Sequence, residues 1–157
     1  MGKTLVACFS AYGKTLKVAK MLAETIGADF FEIEAAKKYQ NVDLDWMSTK
    51  SRVVLEMKDP GFRPEIKSKV EDFDQYDRIF IGYPIWKFLC PQIISTFIES
   101  YDFAGKEVYL FCTSDQSGIS KSAADLKDRY PGLNIVSTRR FSISPTPRII
   151  RMWTDTL

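Results

Sequence analysis

A doubly wound α/β fold, an open parallel sheet of five strands with helices on both faces, is the architecture this sequence predicts, and three observations predict it. Short apolar runs of strand length alternate with segments of helical periodicity along the chain. Gly and Pro punctuate the junctions between them, as at Gly27, Pro60-Gly61 and Pro131-Gly132. Three loops, at 10–15, 83–88 and 113–118, each follow directly on a strand run. A strand, a helix and a second strand form a right-handed crossover, which returns the chain to the same edge of the sheet and leaves the strands parallel. The three loops therefore converge at the carboxyl edge, where open sheets of this kind bind ligands.

Leu5-Val6-Ala7-Cys8-Phe9 is the first strand. Val18, Leu22 and Ile26, with Ala19 and Ala23, keep helical spacing, and Gly27 stands where a helix stop is expected, so the first helix covers 14–26. Asp29-Phe30-Phe31-Glu32-Ile33 reads as the second strand, followed by a polar passage over 34–63. Its middle, 44–57, has enough apolar residues for a helix, with Asp59-Pro60-Gly61 as a turn behind it. Asp77-Arg78-Ile79-Phe80-Ile81-Gly82 is the third strand, and Tyr83-Pro84-Ile85-Trp86 lie just beyond its carboxyl end. Ile94, Phe97 and Ile98 mark a helix over 91–101, and Val108-Tyr109-Leu110-Phe111-Cys112 is the fourth strand. A helix over 120–130 leads to a fifth strand at 134–137, and a tail with Pro145 and Pro147 ends in a short helix over 148–153.

Composition narrows the function. A chain of 157 residues, 45% hydrophobic and without repeats or a linker, is read as one domain over 1–157. No apolar run reaches the roughly 18 residues of a membrane span, and no signal-peptide pattern precedes the first strand, so a soluble cytoplasmic protein with no membrane contact is expected. Cys8, Cys90 and Cys112 are an odd number without CxxC spacing and read as buried structural thiols. The chain has no histidine, which excludes Ser-His-Asp and Cys-His chemistry. The net charge of +2, from 22 basic and 20 acidic residues, is too weak to argue for nucleic acid.

The loop Ser10-Ala11-Tyr12-Gly13-Lys14-Thr15 stands between a strand and a helix. The first turn of a helix leaves four N–H groups unpaired and carries partial positive charge, so such a junction is an anion site. Ser10 and Thr15 add hydroxyls and Lys14 a full charge. A nucleotide triphosphate loop needs a glycine where this chain has Cys8, so Gly13-Lys14-Thr15 is half of that motif. A helix cap without a ligand is the plainer alternative. Together with an aromatic loop after strand three and a Gly/Ser loop after strand four, however, it describes a site for a flat ring carrying a phosphate.

At these loops the chain resembles the flavodoxins, over residues 5–137. Short flavodoxin-like proteins carry Ser-x-Thr-Gly-Asn-Thr, Gly-Tyr-Pro-Ile-Trp and Thr-Ser-x-x-Ser-Gly in these places, and Gly82-Tyr83-Pro84-Ile85-Trp86 is the most specific match. The resemblance implies strand order 2-1-3-4-5 and the cofactor FMN, with its phosphate on Ser10, Tyr12, Gly13, Lys14 and Thr15. Its ring would lie between Tyr83, Pro84, Ile85 and Trp86 on one side and Ser114, Asp115, Gln116, Ser117 and Gly118 on the other. Trp86 and Tyr83 have faces for stacking, Gly118 allows close backbone approach, and Ser114 and Ser117 can bond ring edges. Each also has a plainer reading: Trp86 as a rim aromatic packed on the next helix, Tyr83 as a core residue at the sheet end, the serines as loop and cap hydroxyls. The chain departs from the pattern where Tyr12 replaces threonine, Lys14 asparagine, Lys87-Phe88 a common Trp-Gly, and Asp115-Gln116 a glycine pair.

Three functions follow from this reading. The first is an FMN-binding redox protein in electron transfer, whose partners are redox proteins or small-molecule electron acceptors, as a monomer or homodimer. The second is an NAD(P)H-dependent FMN or quinone reductase, in which Arg139, Arg140 or Arg148 would serve a nucleotide phosphate if their segment folds over the site. The third is a flavin-free interaction protein on the same fold.

Overall fold

The computed structural model describes residues 2–142 and 144–157. The apolar runs pair into one five-stranded parallel sheet in the order β2-β1-β3-β4-β5. In chain order the elements are β1 (Lys3–Cys8), α1 (Lys14–Ile26), β2 (Asp29–Glu32), α2 (Arg52–Lys58), β3 (Tyr76–Pro84), α3 (Gln92–Glu99), β4 (Glu107–Thr113), α4 (Ser120–Arg129), β5 (Asn134–Phe141) and α5 (Pro147–Thr154). Because side chains alternate across a strand, the sheet builds two cores. Leu5, Ala7, Ile79, Ile81, Val108 and Leu110 face α3 and α4 residues such as Ile94, Phe97 and Leu126. Val6, Cys8, Phe80, Tyr109 and Phe111 face α1 and α5, through Val18, Leu22, Ile150 and Trp153. Three central strands covered on both faces explain why their sequences read as continuous apolar runs rather than alternating ones.

Gly82 illustrates how closely β3 and β4 fit. It pairs with Phe111, and a Cβ built on it would lie 2.2 Å from the Phe111 ring, so only glycine leaves that ring room to lie across β3. The expected five-strand, doubly wound architecture is thus the observed one, and the order 2-1-3-4-5 puts the switch point between β1 and β3. Among the described residues no helix is long and apolar enough to cross a membrane.

Three boundaries differ from the sequence expectation. The helix expected over 44–57 is a 3₁₀ turn at Asn41–Leu44 followed by the shorter α2. Local polar bonds hold the chain out of a helix between them: the Met47 N–H donates to Asp45 Oδ1 at 2.9 Å and the Ser51 hydroxyl to the Asp45 carbonyl at 2.6 Å. The whole excursion is closed at its base by an isolated antiparallel bridge between Ala35 and Ile66. β3 does not stop at Gly82 but carries Tyr83 and Pro84, paired with Cys112 and Thr113; proline is tolerated because it is the strand's last residue. β5 likewise runs past Ser137 to Phe141, so Arg139 and Arg140 are edge-strand residues.

Candidate functional site

The loops after β1, β3 and β4 meet at the carboxyl edge of the sheet. Buried Thr15, in the first turn of α1, shares a 2.7 Å hydroxyl–hydroxyl hydrogen bond with Thr113 at the end of β4. The Phe9 N–H donates to the Gly82 carbonyl at 3.1 Å, and the Phe9 ring meets Trp86 edge-on at 5.6 Å between centroids. Beyond β4, Lys121 of α4 holds its ammonium 5.1 Å from the Phe88 ring centroid.

The loop after β1 makes an open helix end. Gly13 turns the chain into α1 with φ +90°, a left-handed conformation that a side chain would strain, and its N–H donates to Ser10 Oγ at 2.9 Å. No side chain caps α1 and no acidic residue stands in its first turn, so the leading N–H groups have no capping partner, beside exposed Lys14. Ser10 therefore shapes the turn, and the hydroxyl of Thr15 is already joined to Thr113. Tyr12 projects from the loop at 66% exposure.

The loop after β3 differs most from expectation. Tyr83 has no exposed surface, and its hydroxyl bonds Ser122 Oγ at 3.0 Å; the serine's own proton is directed to the Ile119 carbonyl, so tyrosine is the donor. Burial pushes its phenol well above the usual value. Trp86 is 4% exposed and is met edge-on by Phe9, Tyr39 and Trp46. In this arrangement neither ring has a free face, because three aromatic partners from two other segments close around Trp86 and α4 closes over Tyr83. Pro84 and Ile85 are half-buried at the strand end.

A tight two-residue turn follows, in which Trp86 and Leu89 exchange backbone hydrogen bonds of 2.8 and 3.1 Å. Its central residues, Lys87 at φ +48° and Phe88 at φ +70°, are both left-handed, a conformation uncommon for bulky side chains. The turn holds Phe88 out at 58% exposure. The open aromatic faces at this edge are thus Tyr12 and Phe88. The sequence identified Phe88 only as a departure; the signal that could have placed it outward was its position in a two-residue turn.

In the loop after β4, the Ser114 N–H donates to the Phe141 carbonyl at 3.0 Å. Asp115, Gln116 and Gly118 are exposed and Ser117 half-buried. Arg140 reaches across from β5 and donates to the Ser114 carbonyl at 2.8 Å and the Asp115 carbonyl at 3.4 Å, a tether that the four-residue strand expected from sequence had not brought to the loop. Arg139 lies 5.6 Å from the Phe141 ring, and Arg148 stands in the first turn of α5.

On the β2 side of the first loop lies a cleft of about 180 Å³ lined by Phe9, Ser10, Ala11, Glu32, Tyr39 and Lys67, among others. Burial, and then the neighbouring Glu34, raise the Glu32 carboxyl above its ordinary value. The cleft falls below the roughly 300–1,000 Å³ of most small-molecule sites. A ring bound at this edge would therefore lie along the outer loops rather than inside a preformed cavity.

No curated protein matches the chain. Among solved structures, a candidate flavoprotein of Bacteroides eggerthii DSM 20697 is 46% identical, with TM-score 0.95 over 99% of this chain and 98% of that one. A second, from Bacteroides uniformis ATCC 8492, is also 46% identical, with TM-score 0.95 over 98% of each chain. A flavoprotein of Lactobacillus acidophilus NCFM, solved in complex with FMN, shares the fold at 23% identity and TM-score 0.78, over 99% of this chain and 98% of that one. The flavodoxin sequence profile matches residues 3–157, and with the observed strand order and edge loops this means that the chain belongs to the flavodoxin family.

Proposed function

We propose that this protein binds FMN at the carboxyl edge of its sheet and serves as an electron-transfer flavoprotein. The observation that carries the reading is the uncapped, acid-free first turn of α1 behind left-handed Gly13, where the resemblance to flavodoxins implies the phosphate. Support also comes from the fold relative of Lactobacillus acidophilus NCFM that was solved with FMN. The residues fit the group. A phosphate would be held by the uncapped N–H groups of Lys14 and its successors and by the Lys14 charge. The ring would have Pro84, Ile85 and the Phe88 face on one side and the backbone of the 114–118 loop, tethered by Arg140, on the other.

Bound FMN would supply the redox chemistry, and the chain would supply binding, orientation and local field. No side chain at this edge is needed as an acid or base. The three thiols do not compete for that role: burial raises all of them, Cys90 and Cys112 to about 12. Tyr83 and Trp86, with no free face, support the loop from beneath rather than cover a ring.

The test is a fluorescence titration of the flavin-free protein with FMN, with riboflavin, which lacks the phosphate, in parallel. The expected result is FMN binding at least about tenfold tighter than riboflavin, a difference of about 1.4 kcal/mol. Equal affinity would remove the phosphate loop from the site, and no binding of either would sink the reading. Slow NAD(P)H oxidation by the loaded protein is expected of a carrier; rapid turnover would make it a reductase.

A further inference from the structure

The carboxyl edge carries an excess of unpaired positive charge. Lys14 stands at the N-terminus of α1, Lys87 in the strained turn after β3, Lys121 in the first turn of α4, and Arg140 against the loop after β4. All four are exposed, and among the described residues none forms an ion pair. Lys87 lies 5.5 Å from the Trp46 ring and Lys121 5.1 Å from the Phe88 ring, so both ammoniums rest on aromatic faces instead. Neither α1 nor α4 has an acid in its first turn. A lysine there opposes the positive end of the helix dipole, an arrangement that disfavours folding and is retained where a positive field is useful. Next to Lys87, and against Lys121, the left-handed turn holds out Phe88.

We propose that this rim, Lys87 and Lys121 beside Phe88 with Arg140 against the neighbouring loop, is the docking surface for a protein partner whose contact face is acidic. The proposal rests on the reading that electrons pass at this edge. Exposed cations steer an oppositely charged partner into encounter, and the exposed aromatic beside Lys87 and Lys121 provides the desolvated contact that fixes it. Nucleic acid fits less well: Asp115, in the loop after β4, lies beside Arg140, and the chain's net charge is only +2. The second cluster of charge, around the cleft at Glu32, Lys38 and Lys67, is of mixed sign and gives no such polarity.

The test uses isotope-labelled protein, with and without FMN, titrated at low ionic strength and followed by backbone amide NMR. The probes are an acidic [2Fe–2S] ferredoxin, basic cytochrome c and a short DNA duplex. The ferredoxin is expected to shift or broaden amides around 87, 88, 121 and 140. Its affinity should fall about tenfold from 0.02 to 0.2 M salt, and at least tenfold in the Lys87→Glu/Lys121→Glu double variant. A double variant whose spectrum elsewhere is unchanged certifies that the fold is intact. No ferredoxin binding, binding on another face, or binding indifferent to the charge reversal overturns the proposal. Cytochrome c at this rim, or DNA binding as tightly as the ferredoxin, overturns it as well. Because the flavin-free protein is titrated too, failure to bind FMN is read separately from failure to dock.

Discussion

Two aromatic residues two positions apart, Trp86 and Phe88, have opposite energetic characters. Trp86 is packed by three aromatic rings, so Trp86→Ala removes a large buried side chain and is expected to lower stability by about 3–5 kcal/mol in urea unfolding. Phe88 is exposed and left-handed, so Phe88→Gly relieves backbone strain and should raise stability by about 1 kcal/mol, less the lost contact with Lys121. The same Phe88→Gly change should weaken FMN binding if its face borders the ring; a destabilised Phe88→Gly protein would contradict the left-handed turn. The cysteines give a pH dependence at this scale. Their raised folded values mean that their contribution to stability is present in full below the unfolded value of about 8.5 and is lost as pH rises towards 12. Native protein at pH 8 should resist a thiol reagent that titrates all three after unfolding; rapid native labelling would contradict their burial.

Between elements, the Gly82–Phe111 contact fixes how β3 lies against β4 beneath the site. Gly82→Ala puts a methyl into the Phe111 ring and is expected to cost about 1–3 kcal/mol, part of which Phe111→Leu should restore in the double variant. Purely additive losses would mean that the two residues do not meet. The architecture was legible because each central strand is an unbroken apolar run of the length a strand covered on both faces requires. What was not legible depended on contacts distant in sequence. Tyr83-Pro84 reads as a turn until Cys112 and Thr113 are brought alongside to pair with it. Arg139-Arg140 reads as a surface pair, yet it belongs to an edge strand whose outward positions are free to be charged. Trp86 could not be assigned to the interior from its own loop, since Phe9, Tyr39 and Trp46 come from the end of β1 and from the excursion after β2. Of the loop after β1, Gly13 and the open helix end were readable locally, whereas the diversion of the Thr15 hydroxyl to Thr113 was not.

At the scale of the whole molecule, parallel winding points the N-termini of α1, α3 and α4 towards one edge, and none of the three has an acid in its first turn. Their dipoles therefore add with the charges of Lys14, Lys87 and Lys121 at that edge instead of being neutralised. The field matters more than the small net charge, because +2 spread over the surface would select nothing while cations gathered at one edge select anions. A phosphate dianion entering this field is attracted through partly hydrated surroundings, so the attraction should be screened as the Debye length shrinks from about 30 Å at 0.01 M salt to about 8 Å at 0.15 M. FMN affinity is accordingly expected to fall by about three- to tenfold over that range, with riboflavin affinity nearly unchanged. Lys14→Gln should flatten the FMN dependence without touching that of riboflavin. Equal salt dependence for the two ligands would mean that the edge acts on the ring rather than on the phosphate, and FMN binding insensitive to salt would mean that the helix N–H groups alone hold the anion.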